Sequence, residues 1–272
     1  MTLGRPAPTI VGMDLREPGL RRASWWLLGL GLLVAGRTES AETLDGVVTR
    51  AIAALGGAER LRACQTRLTV GKISFDGGSE NPFTVAQKRP NRLHMEIFFS
   101  SGVLMRAFDG KAGWQANPFA ERKDAYPMSP EERRNIEEEA EFDDPLLDWK
   151  ARGSRVELLG KEPLDGRSAY RLRVTTANGL VQELWLDAET FLRARWQGTR
   201  KANGREMVFS SSFGDYRTVD GFQFPFQTSS RSQGNETRQE IVITRVELNM
   251  PIEDAQFALP RAAAEPAGKA KP

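Results

Sequence analysis

The stretch SAYRLRVTTANGLVQELWLDAETFLRARW, residues 168–196, carries the reading of the fold. Tyr170, Leu172 and Val174 fall on one side of an extended chain, and Arg171 and Arg173 on the other. Successive Cβ atoms of a strand point to opposite faces, so this alternation marks a half-buried β-strand. Asn178-Gly179 enters positive-φ conformations at little cost and therefore turns a hairpin. The returning strand is expected over 180–187. A third follows over 191–200, where Leu192, Ala194 and Trp196 oppose Arg193 and Arg195. One face is oily and the other wet.

The same pattern extends both ways. Strands are expected at 67–75, 82–88, 92–99, 103–108 and 112–116, divided by turns such as Asp76-Gly77-Gly78 and Asp109-Gly110. More are expected at 155–159, 205–216, 221–230 and 236–248, with turns at Asp165-Gly166, Asn203-Gly204, Asp220-Gly221 and Gly234-Asn235. Phe222, Phe224 and Phe226 share one side of their strand. Roughly eleven or twelve antiparallel strands make a mostly β (α+β) protein, and a sheet so wide curls, splits or closes.

Few helices are available to cover it. Leu44, Val47, Val48, Ala51, Ile52 and Leu55 recur at three- and four-residue steps, an amphipathic helix that Gly56-Gly57 ends. A short turn of helix follows at 58–63. Ser129-Pro130-Glu131-Glu132 is a capping box that opens a helix to about Phe142, with only Ile136 and Ala140 apolar. Asp144-Pro145 is expected to start another short helix anchored by Leu146, Leu147 and Trp149. So little lid over so much apolar sheet leaves room for a hydrophobic guest.

Residues 1–40 read as an export signal and a preceding segment. Arg21-Arg22 precedes WWLLGLGLLVA at 25–35, a run short for a permanent span, and Val34-Ala35-Gly36 offers small residues for a peptidase. Arg37 stands where an acylated bacterial lipoprotein would have cysteine, so a soluble, non-lipidated periplasmic protein is expected. The folded domain is expected over 41–261, followed by a disordered Ala/Pro/Lys-rich tail at 262–272. Lys and Arg number 38 against 36 Asp and Glu, and the excess lies within residues 1–36. A near-neutral domain lacks the clustered basic excess that nucleic acid requires. Cys64, the single cysteine, reads as a buried structural thiol.

Several segments then resemble a known family: AIAALGGAERLRA at 51–63, FDDPLLDWKARGSRVELLGKEPLDGRSAYRLRV at 142–174, LWLDAETFLRARW at 184–196, FGDYRTVDGFQFPF at 213–226 and VELNMPIEDAQFALP at 246–260. Together they resemble the outer-membrane lipoprotein-sorting proteins, a group related to the periplasmic carriers LolA and LolB. The resemblance covers about 43–261 and implies an incomplete β-barrel of about eleven strands covered by helices, with a hydrophobic cavity for acyl chains. It further implies partners among lipids, acylated lipoproteins and inner- or outer-membrane transport components, with a monomer expected.

Strand phase selects Leu172, Val174, Leu184, Leu186, Trp196, Phe209, Phe213, Phe224 and Phe226 as cavity-lining candidates, against the alternative of a closed, packed core. Val48, Ile52, Leu55, Leu146 and Leu147 are the lid candidates. Ten buried methylenes would contribute about 8 kcal/mol, which is roughly micromolar binding before ordering costs. His94 alternates with Leu93 and Met95 and is expected to face solvent; a single histidine allows no multi-histidine metal site. The acidic run Glu137, Glu138, Glu139, Glu141, Asp143 and Asp144 reads as a solvated helix face. No phosphate-binding glycine loop or nucleophile elbow occurs outside the signal segment, so no enzyme, cofactor or metal is expected. Rival readings are a lipoprotein sensor of the same fold that signals to a protein partner, a cavity enzyme as in the violacein pathway, and an outer-membrane barrel. The polar tail argues against the last.

Overall fold

The computed structural model describes residues 42–260 other than Asn203 and Gly234; the expected export signal and the 262–272 tail lie outside the described residues. Thr43 opens α1 (Leu44–Ala54), its hydroxyl accepting from the Gly46 N–H at 3.1 Å. Gly56 and Gly57 follow with φ of 127° and 90°, which turns the chain into α2 (Ala58–Ala63).

A meander then runs through β1 (Thr66–Phe75), β2 (Asn81–Lys88), β3 (Arg92–Phe99), β4 (Gly102–Phe108), β5 (Gly113–Ala116) and β6 (Tyr126–Pro127). After α3 (Pro130–Glu139) come β7 (Arg155–Leu164), β8 (Arg167–Thr175), β9 (Val181–Asp187), β10 (Arg193–Ala202), β11 (Arg205–Val219), β12 (Phe222–Ser232) and β13 (Asn235–Leu248). They form one 13-stranded antiparallel sheet in the order β6-β5-β4-β3-β2-β1-β13-β12-β11-β10-β9-β8-β7. Only the β1–β13 pairing joins strands distant in sequence. The sheet curls but does not close, leaving β6 and β7 as its edges. Asp165-Gly166 (φ 49° and 83°) and Asp220-Gly221 (50° and 82°) turn their hairpins in the left-handed region, as their types require.

Three differences from the sequence reading have local causes. The thirteenth strand, β6, is a two-residue edge containing proline, too short to show alternation. The α3 helix stops at Glu139, and 144–152 forms hydrogen-bonded turns rather than a helix, with Leu147 N–H donating to the Asp144 carbonyl at 2.9 Å. His94 does not face solvent. The C-terminal segment lays Ile252 and Phe257 against Ala86 and Leu68, and the Trp114 indole donates to the Phe257 carbonyl at 2.9 Å. His94, cross-strand from Ala86 and Ala107, sits 5.7 Å from the Trp114 ring, with its Nε2 buried, without a hydrogen-bond partner and 3.9 Å from Glu96 Oε1. Burial pushes its pKa below the ordinary histidine value.

Helices fill the opposite face in two places. Val47 and Ala51 of α1 pack with Leu172, Val174 and Leu184, all at most 1% exposed, at about 1.5–3 kcal/mol for each large side chain. Ile136 and Ala140, both 0% exposed, set α3 on Leu93 and Phe108. Among the described residues no helix is long and apolar enough to cross a membrane.

Candidate functional site

Between these two filled regions a cavity of about 720 Å³ remains. The strands contribute Arg67 (β1), Gln182 and Leu186 (β9), Arg193 and Trp196 (β10), Phe213 and Tyr216 (β11) and Phe222 and Phe224 (β12). Leu55, Leu61 and Cys64, the segment from Glu141 to Leu146, Glu137 and Glu138 of α3, Arg152 and the turn from Thr176 to Leu180 stand on the other sides.

The structure therefore divides the sequence candidates. Leu186, Trp196, Phe213 and Phe224 border the cavity, as do Leu55 and Leu146 of the lid set. Leu172, Val174 and Leu184 point to the same side but lie beneath α1 with Val48, Ile52 and Leu147, in packed core. Phe226 is buried outside the cavity beneath Arg217, whose guanidinium lies 4.5 Å from the ring centroid, and Phe209 is not among the wall residues.

Sequence reasoning missed the polar part of the wall. Strict alternation puts Arg193 opposite Trp196. The register with β9 slips between Arg193 and Arg195, so Arg193 pairs with Leu186 and Trp196 with Leu184. Leu184 and Leu186 share a face, so the bulge at Ala194 brings Arg193 and Trp196 onto one side. Arg67 carried a visible signal, because it is in phase with Ile73 and Phe75.

Each polar group on this wall is held in a definite way. Trp196 donates to Gln182 Oε1 at 2.6 Å, and its indole lies where a Cβ on Gly198 would come within 2.6 Å, so glycine makes room for the ring. Arg193 Nη2 meets Asp144 Oδ2 at 2.5 Å, while its Nε is buried without a partner. Tyr216 donates to the Arg193 carbonyl at 2.8 Å; burial pushes its pKa up to about 12, so the phenol stays protonated. Burial likewise raises the Cys64 thiol, which keeps it neutral, and Cys64 is buried as expected.

Arg67 lies between the rings of Phe142 and Phe224, at 5.3 and 5.8 Å, and burial draws its guanidinium below the ordinary arginine value. The acidic run is less solvated than its composition implies. Asp143 accepts from Arg89 at 2.7 Å, Glu139 from Arg106 at 2.9 Å, and Glu141 pairs with Arg152. The Arg106 bond ties α3 to β4, the Arg89 bond ties the segment after α3 to the turn following β2, and the Arg152 bond lies within that segment.

No family model matches the sequence, and no curated protein matches it. Solved structures do. A DUF1329 family protein from Desulfovibrio piger superposes with TM-score 0.55 at 15% identity, covering 79% of this chain and 96% of its own. A LolA superfamily protein from Nitrosomonas europaea gives 0.52 at 14%, covering 76% and 97%. The chain has the LolA-like fold. An outer membrane lipoprotein-sorting protein domain from Vibrio parahaemolyticus agrees, with TM-score 0.52 at 11% identity, covering 78% and 94%. At these identities the likeness is one of fold. It accounts for the open LolA-like half-barrel with helices over one face.

Proposed function

We propose that this LolA-like half-barrel is a periplasmic binder or carrier of lipid or lipoprotein acyl chains, serving in outer-membrane lipoprotein sorting. The observation that carries this reading is the cavity of about 720 Å³, in the size range of ligand sites, with Leu55, Leu186, Trp196, Phe213 and Phe224 on its wall. The fold shared with a lipoprotein-sorting domain supports the cargo class. Arg21-Arg22 and the apolar run at 25–35 support the compartment. The role is binding rather than catalysis. The thiol and phenol on the wall are both held neutral by burial, and Arg193 is engaged by Asp144.

Native mass spectrometry of the mature protein, purified without detergent from the periplasm of a producing cell, tests this. A folded species carrying lipid mass is expected. A homogeneous lipid-free protein that also fails to take up added fatty acid contradicts the proposal.

A further inference from the structure

We propose that, among acyl-chain ligands, the cavity selects those with an oxyanion head, a carboxylate or a phosphate monoester, and that the Arg67 guanidinium receives that head. The proposal rests on the acyl-chain reading above and adds the chemistry of the head.

Three other guanidiniums on or beside this wall are already matched. Arg89 is held by Asp143, Arg152 by Glu141 and Arg193 by Asp144. Arg67 is not. No described carboxylate oxygen lies within 4.0 Å of it, and its Nε and Nη2 both donate to one neutral acceptor, Gln87 Oε1, at 3.0 and 2.5 Å. Its Nη1 has no acceptor among the described residues. Taking a guanidinium out of water without a counter-charge is costly. The flanking Phe142 and Phe224 rings offset part of that cost, since a cation gains from the negative face of an aromatic ring.

Asp143 acts on the Arg67 charge through space and opposes burial without outweighing it, and it makes no ion pair with Arg67. Cys64 stays a thiol, and Asp143 is committed to Arg89 through both carboxylate oxygens, at 2.7 and 2.5 Å. An anion entering the cavity would therefore meet a preformed, partly buried donor. The same cavity is also lined by Phe213, Trp196 and Leu186, which suit a chain attached to that anion. A neutral or cationic head gains nothing from Arg67. A free anion leaves the apolar wall unused.

Calorimetric titration of the folded protein with palmitate, hexadecyl phosphate, hexadecanol and inorganic phosphate tests this. Charge-assisted hydrogen bonds in a partly buried site predict that one or both anionic amphiphiles bind about ten- to hundredfold more tightly than hexadecanol. The stronger of the two identifies the head. Arg67→Met, which retains the apolar stem, should bring the anionic amphiphiles to the affinity of hexadecanol and leave hexadecanol itself unchanged. Equal wild-type affinity for all three chains overturns the head assignment and leaves the chain reading standing, and that comparison needs no variant. Inorganic phosphate binding as tightly as hexadecyl phosphate overturns the amphiphile. If none of the chains binds, both readings fall.

Discussion

Asp144 Oδ2 and Arg193 Nη2 meet at 2.5 Å across the cavity, joining the segment after α3 to the floor strand β10. Their side chains are only 14% and 22% exposed, so removing one partner leaves the other poorly solvated. Asp144→Asn should cost about 2 kcal/mol, allowing for the remaining exposure, and lower Tm by about 4–8 °C. It should also speed release of a bound fluorescent fatty acid in stopped flow. Unchanged release from a destabilised variant would mean that the pair holds the fold but does not gate the cavity.

Two phenylalanines on one strand separate the structure from simple strand phase. Phe213 and Phe209 have the same parity on β11, yet only Phe213 borders the cavity. Phe213→Ala should weaken fatty-acid binding about tenfold, the loss of one aromatic contact. Phe209→Ala should leave it within about twofold. Equal effects from the two changes contradict the cavity as drawn.

Acid should act through Glu183, which accepts from Arg171 at 2.6 Å and Arg173 at 2.9 Å. Burial works to raise its pKa, but the two guanidiniums outweigh burial and hold the carboxyl below the ordinary value. A depressed folded-state pKa contributes stability above about pH 4.3, and that contribution fades as pH falls through the lower folded value. Glu183→Gln should therefore lower Tm by about 1–3 °C at neutral pH, a small effect because both arginines are partly exposed. The gap should narrow as pH falls below the ordinary glutamate range and through the lower folded value. A pH-independent gap would point to packing instead.

The C-terminal segment should matter to the fold. Phe257 is 0% exposed against Ala86 and Ile252. Phe257→Ala should cost about 3–5 kcal/mol in urea unfolding. A loss below about 1 kcal/mol would mean that this segment only rests on the sheet.

The half-barrel was legible because alternation and Asp-Gly turns are local signals, and Tyr170 through Val174 carry them cleanly. The site was legible in part. Leu172 and Leu186 look alike in sequence, and only the docking of α1 decides that the first is core and the second wall. Arg193 was hidden by the bulge at Ala194, since one extra residue reverses the face of everything before it. His94 was misplaced because residues 250–257 cover it without any periodic pattern of their own. Arg67, in phase with Ile73 and Phe75, could have been found by asking why a cation stands on the oily side.

The most direct test of the central claim is equilibrium titration of a fluorescent fatty acid into the wild-type protein and Phe224→Asp. Phe224 borders the cavity beside Arg67, so an aspartate there places a charge on the apolar wall and offers Arg67 a partner. Saturable one-site binding near micromolar is predicted for the wild type, weakened at least about tenfold in the folded variant. Equal affinity in a folded Phe224→Asp, or no saturable binding to the wild type, would contradict the account.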